Sequence, residues 1–240
     1  MKAIIFDAGP LISLTTNNLL WLLEELKKRY PGNFVIPKSV KEELVDKPLQ
    51  TKRYKFEALQ ILPLITNKTL TVISTPSLEQ QAKRLLTVAN TCYYAKGTPI
   101  QVVQLGEMEA LALHQIIDAQ AFVLDERITR MLIEEPMQLA KRLSEKLHTP
   151  VQVQHEQLAT FKQQTKNVKI IRSGELVTVA YELGLLDKYM GSEQEGYVKN
   201  IQHEVIEGVL WGIKLQGCAI SEEEINELIK LQKTYRRKKE

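Results

Sequence analysis

The chain is poor in residues that cross-link or cage. Of its 240 residues only two are cysteine. Cys92 and Cys218 lie far apart and match no metal spacing. That excludes a disulfide-stapled scaffold and a thiolate zinc site, and a reduced, cytoplasmic setting fits best. The four histidines, His114, His148, His155 and His203, form no i, i+4 pair, which argues against a helical zinc-binding motif. No apolar run approaches the roughly 20 residues of a membrane helix. The opening MKAIIFDAG turns acidic at its seventh residue, unlike a signal peptide. Neither the GxxxxGK[ST] phosphate loop nor the GxGxxG dinucleotide fingerprint occurs, and Ser13 lies in no nucleophile elbow. Repeats and low-complexity segments are also missing. A net charge of +3 is too small to announce a nucleic-acid partner, though clustered charge would be compatible with one.

What is present is enough apolar residue, 44% against 25% charged, for a substantial buried core. Short apolar runs of strand length, Lys2–Phe6, Phe34–Ile36, Leu70–Ser74 and Ala121–Leu124, alternate with helical patterns over Leu11–Tyr30, Ser39–Val45, 51–66, Ser77 toward Ala95, Glu107–Asp118 and Arg127 to about Leu147. Capping boxes are expected at Ser39/Glu42, Ser77/Gln80 and Ser221/Glu224. Lys96-Gly97-Thr98-Pro99 reads as a loop, and Pro136 as a bend. Alternation of this kind predicts an α/β fold with a parallel, doubly wound sheet. Thr149-Pro150 is the clearest break in composition, dividing a domain over residues 1–150 from a mostly helical extension over 151–240. Within that extension Gln152–Val153 and Lys169–Ile171 are candidate short strands, and the tail Tyr235–Glu240 is basic.

Four acids stand where these segments end or turn. Asp7 follows the first strand and Asp125 follows Ala121–Leu124. In open α/β sheets the carboxyl ends of strands face the ligand crevice. Glu43 lies beside Glu42 in a helix start, about 100° around the axis from it. Because Glu42 is expected to cap that helix, Glu43 is the free carboxylate. Glu107 and Glu109, two positions apart, lie on opposite sides of their helix. Each acid also has an ordinary structural reading: Asp7 as a helix cap, Glu43 as a solvated surface acid, Glu107 as a favourable partner of the helix dipole. A dehalogenase-type phosphatase also begins with a strand and an aspartate. It needs a second acid where this chain has Gly9.

The order and context of these acids resemble the PIN domain, a family of metal-dependent ribonucleases. The resemblance rests on Asp7 followed by Pro10-Leu11-Ile12, on the Pro-x-x-Val-x-x-Glu-Leu helix start that selects Glu43, on Glu109 before Ala-Leu-Ala-Leu, and on Asp125 with Glu126 after it. It covers roughly residues 1–150, with a looser match beyond. Val123 stands where the family often has Ser or Thr, so no supporting hydroxyl is expected from that position.

The resemblance implies a three-layer PIN-like fold and an endoribonuclease. Asp7, Glu43, Glu109 and Asp125 would hold Mg²⁺ or Mn²⁺, with Glu126 as an accessory ligand. Such a cation lowers the pKa of water and offsets charge on a phosphodiester. Arg127 and Arg130, one turn apart, would meet RNA phosphates. The implied partners are RNA, an antitoxin if the chain is a toxin, and a second copy in a homodimer, with no membrane. The alternative is a catalytically weak PIN-fold protein that binds RNA or acts as a scaffold.

Overall fold

The computed structural model describes residues 2–191 and 197–236. The side chains of the basic tail, Tyr235–Glu240, lie outside the described residues. In chain order the first half runs β1 (Ala3–Phe6), α1 (Ala8–Thr16), α2 (Leu22–Arg29), β2 (Asn33–Pro37) and α3 (Lys38–Lys41). A single π-helical turn (Glu42–Asp46), α4 (Lys47–Leu49), α5 (Lys55–Thr66) and β3 (Leu70–Ile73) follow. Then come α6 (Pro76–Asn90), β4 (Tyr93–Ala95), β5 (Thr98–Pro99), α7 (Leu105–Ile117), β6 (Ala121–Val123), α8 (Arg127–Glu134) and α9 (Pro136–Leu147). The remainder supplies β7 (Val151–Val153), α10 (His155–Thr165), β8 (Ile170–Ile171), α11 (Ser173–Glu182), α12 (Ile201–Leu215) and α13 (Glu222–Arg236).

The central sheet has the order β3-β2-β1-β6-β8, and every pairing in it is parallel. Its side chains divide by parity, as a period of two requires. Ile4, Phe6, Phe34, Ile36 and Val123 enter one hydrophobic cluster with α1, α2, α5 and α11–α13. Ala3, Ile5, Val35 and Phe122 enter the other, with α6, α7, α9 and α10. A sheet buried on both faces explains why these strands are continuous apolar runs rather than alternating ones.

Several local expectations differ from the structure, each for a physical reason. The helix expected over Leu11–Tyr30 is two helices, because Asn17 ends α1 and Asn18 takes a left-handed φ of 55° that Asn tolerates better than most residues. The cap of α6 is Thr75, whose hydroxyl accepts from the Leu78 amide, with Pro76 at the first helical position; Ser77 is already inside. Ser39 and Glu42 form no capping box: Glu42 pairs with Lys38 at 3.3 Å, and the Ser39 hydroxyl has no partner. The helix expected to reach toward Ala95 stops at Asn90. Beyond it Lys96 and Gly97, both at positive φ, make the two-residue turn of a β4–β5 hairpin. That hairpin and β7 form a small antiparallel sheet. The box at Ser221 and Glu224 is formed in both directions.

Candidate active site

The strand order places β2 and β3 on one side of β1 and β6 on the other. The crevice of such a sheet opens where that order reverses, between β1 and β6. Asp7 leaves β1 and Asp125 leaves the β6 segment at this point, and the Asp7 amide donates to the Val123 carbonyl at 3.0 Å. Gly9 lies between the two acids. A Cβ built on it would stand 3.5 Å from the Asp125 Cβ and 3.7 Å from Asp7 Oδ2.

Asp7 is also the N-cap of α1, although its bond from the Gly9 amide is long, at 3.4 Å. The side chain is almost wholly enclosed. Burial pushes its pKa up from 3.8 to about 6; the Ala8 and Gly9 amides oppose the shift, and the charges of Glu43 and Asp125 add to it.

Asp125 is held from three directions. Its Oδ1 accepts the Ser173 amide at 2.8 Å, and its Oδ2 accepts the hydroxyls of Ser13 at 2.9 Å and Ser173 at 2.7 Å. Ser173 opens α11, so the carboxylate faces a helix N-terminus, where negative charge is favoured. Sequence reasoning missed both serines. The hydroxyl support absent at Val123 comes instead from α1 and from a helix 48 residues downstream. Arg172, just before Ser173, ties this junction to Glu175 and, at 2.7 Å, to Glu224.

Glu43 sits in the π turn, where the Lys47 amide reaches back to the Glu42 carbonyl. Single π turns recur at functional positions. Glu43 is exposed, and its charge is felt by both Asp7 and Glu107.

At α7 the two acids have different surroundings. Glu107 shares the surroundings of Asp7, Glu126 and Glu43; burial, joined by those charges, pushes its pKa up to about 7 against the lowering effect of its bond from the Gln104 amide. Glu109 is buried and lines a different cavity of about 300 Å³, with Lys38, Ser39, Glu42, Glu79 and Lys83. The two-residue offset does separate the acids, and Glu107 both caps its helix and feels the charges of Asp7, Glu126 and Glu43. Capping does not remove it from the site, because the geometry allows both roles.

Glu126 is the N-cap of α8, and its two oxygens accept the Ile128 and Thr129 amides at 2.8 and 2.5 Å. Arg127 opens α8, half-buried, and makes no ion pair within 4 Å among the described residues. The Arg130 guanidinium donates through Nη2 to the Ala219 carbonyl at 3.3 Å, and its buried Nε has no hydrogen-bond partner among the described residues. Both cysteines are buried and unpaired, and burial pushes Cys92 up to about 11 and Cys218 up to about 12.

Asp7, Glu43, Glu107 and Asp125 supply carboxylate oxygens, the chemistry that hard divalent cations take, with the Ser13 and Ser173 hydroxyls behind Asp125. Gly9, which has no Cβ of its own, lies against both aspartates. On these grounds the residues fit such an ion. Among the described residues, the one group of three ligand atoms within 4.8 Å of one another is instead His203, Glu204 and Glu207, on the surface of α12. The cleft acids are more widely spaced.

A family model described as a PIN domain matches residues 3–136. The chain belongs to the PIN-domain family. PIN domains are generally nucleases, and the parallel sheet with its crevice acids agrees with that architecture. The match spans Asp7, Ser13, Glu43, Glu107 and Asp125 but stops short of Ser173, so two of the three bonds on Asp125 come from outside it. No curated protein and no solved structure matches the chain. Among the described residues no helix is long and apolar enough to cross a membrane.

Proposed function

We propose that this PIN protein is a Mg²⁺- or Mn²⁺-dependent endoribonuclease, with Asp7, Glu43, Glu107 and Asp125 holding the cation. Glu107 takes the place expected for Glu109. The observation that carries this reading is the pairing of Asp7 and Asp125 across Gly9, at the reversal of strand order. A divalent cation bound there would supply charge neutralisation and a lowered pKa for water. The protein's own part is positional. Ser13 and Ser173 fix the Asp125 carboxylate, leaving a second acceptor direction on Oδ1. Enclosure of Asp7 excludes water from one side of the site and strengthens electrostatic contacts within it. Glu126, with both oxygens on backbone amides, shapes the α8 start and sets Arg127 beside the cleft as a phosphate contact.

The test is cleavage of structured and single-stranded RNA in Mn²⁺ by wild type and Asp7→Asn from matched preparations. The variant is expected to lose activity sharply while keeping its fold. Equal rates would place the activity in a contaminant or at another site.

One feature favours a second reading, a PIN fold that binds RNA or scaffolds without turnover. Three hydrogen bonds occupy Asp125, so its carboxylate has a structural role whether or not a cation binds. The proposal extends to a cytoplasmic setting, an antitoxin as inhibitory partner and a homodimer. Light scattering and co-expression with a neighbouring gene product test the last two.

A further inference from the structure

Residues 51–56 are all exposed and lie between α4 and the first turn of α5. They read TKRYKF, three cations and two aromatic rings in six positions. Aromatic rings are normally hidden, yet Tyr54 is 52% exposed and Phe56 70%. Tyr54 also takes a left-handed φ of 61° as the residue preceding α5. Asn and Asp visit that region readily, and a bulky ring does so rarely enough to need a reason. The Arg53 guanidinium lies over the Tyr54 ring, 4.6 Å from its centre. The other residues with positive φ outside glycine are Asn, Asp, Lys and His, so Tyr54 alone among them carries a large ring.

The placement gives these rings a direction. α5 packs against the π turn that carries Glu43, and α4 joins that turn directly to the segment 51–56. The segment therefore lies next in the chain and in packing to the turn that carries Glu43.

We propose that Tyr54 and Phe56 form a stacking platform for single-stranded RNA, with Lys52, Arg53 and Lys55 tracking its phosphates. This rests on the nuclease reading for the identity of the nucleic acid. Every base has a π face, so exposed rings flanked by cations bind single strands with little regard to sequence. Leu59, one turn beyond Phe56 and also exposed, would suit a protein partner instead. The lysines decide between them: lysine is depleted at protein–protein interfaces, where aromatic rings and arginine are enriched, whereas here the rings are flanked by Lys52 and Lys55 as well as Arg53. The Arg53–Tyr54 contact pre-orders both groups, so less freedom is lost when a base stacks.

The experiment is fluorescence anisotropy of a labelled single-stranded RNA of about 16 nucleotides, in EDTA so that no cleavage intervenes. Tyr54→Ala and Phe56→Ala are each expected to weaken binding roughly tenfold, without changing the salt slope. Tyr54→Phe and Phe56→Trp should retain affinity. Lys52→Ala should lower the salt slope by about one, and Leu59→Ala should do nothing. Circular dichroism checks that each variant is folded; the exposed positions make that the expected result. Unchanged affinity in both alanine variants would overturn the proposal, as would equal binding of duplex RNA. So would loss of self-association in Phe56→Ala and Leu59→Ala with RNA affinity intact, which would assign the surface to a protein. The nuclease reading fails separately: binding that depends on Tyr54 and Phe56, with no Mn²⁺ cleavage sensitive to Asp7→Asn, would leave the platform standing and remove the catalysis.

Discussion

Asp7 carries a charge in a place that water hardly reaches, and that sets how the protein responds to pH. Its pKa is raised from 3.8 to about 6, so between those values the folded state holds a proton that the unfolded chain has released. Stability attributable to this residue is therefore present below pH 4, falls as pH rises toward 6, and is flat above. The shift corresponds to about 3 kcal/mol. The expected outcome is that Asp7→Asn matches wild type in urea unfolding near pH 4 and exceeds it by up to about 3 kcal/mol above pH 6. A difference independent of pH would refute this. Saturating Mn²⁺ should shrink the advantage by neutralising the wild-type charge. Ser173 makes the complementary case. Ser173→Ala removes a hydroxyl bond to a charged acceptor, worth about 1.5–3 kcal/mol. Melting should fall by several degrees, and RNA cleavage should fall with it. An unchanged melting temperature would mean that the serine clamp is idle.

At the scale of elements, α7 shows how one helix can serve two compartments. Glu107 is coupled by charge to Asp7, Glu43 and Glu126, and Glu109 lines the cavity walled by α3 and α6. Glu107→Gln should therefore reduce the rise in melting temperature caused by millimolar Mn²⁺, and Glu109→Gln should leave it in place. The opposite result in differential scanning fluorimetry would restore Glu109 to the site. The strands and most helices are legible in the sequence because burial on both faces writes continuous apolar runs between helical repeats. Turns are less so. The β4–β5 hairpin depends on positive φ at Lys96 and Gly97, and lysine does not announce such a turn. The place of Glu107 is easily misread, because a carboxylate that caps a helix looks spent. The Asp125 clamp cannot be read at all: a serine at a helix start 48 residues away looks like any other serine until the sheet brings it to the acid.

The whole molecule is joined across the boundary that composition suggests near residue 150. Ile170 and Ile171 add a fifth strand beside β6, and α11–α13 enter the same hydrophobic cluster as α1, α2 and α5. We expect a fragment ending at Pro150 to fail as an independent unit. It would expose one face of its core and leave Asp125 without the two Ser173 bonds. Exposing that much apolar surface to water costs more than the ~5–15 kcal/mol that holds a typical domain together. Purification of residues 1–150 should yield aggregate, or a species without near-ultraviolet circular dichroism. A cooperative urea transition would show that the extension is dispensable for folding.

The late position of Ser173 also imposes a sequence in time. During synthesis Asp125 emerges first and waits for a partner 48 residues behind it, a delay of about 2–10 s at usual elongation speeds. Until then Asp125 has the Ser13 bond but not the two from Ser173. A nascent chain that has not yet exposed α11 would thus lack two of the three bonds on Asp125, and the hydrolytic capacity proposed for the protein would wait for that helix. Stalled nascent chains of increasing length, assayed for cleavage of an added RNA, should show activity beginning abruptly once α11–α13 have cleared the exit tunnel.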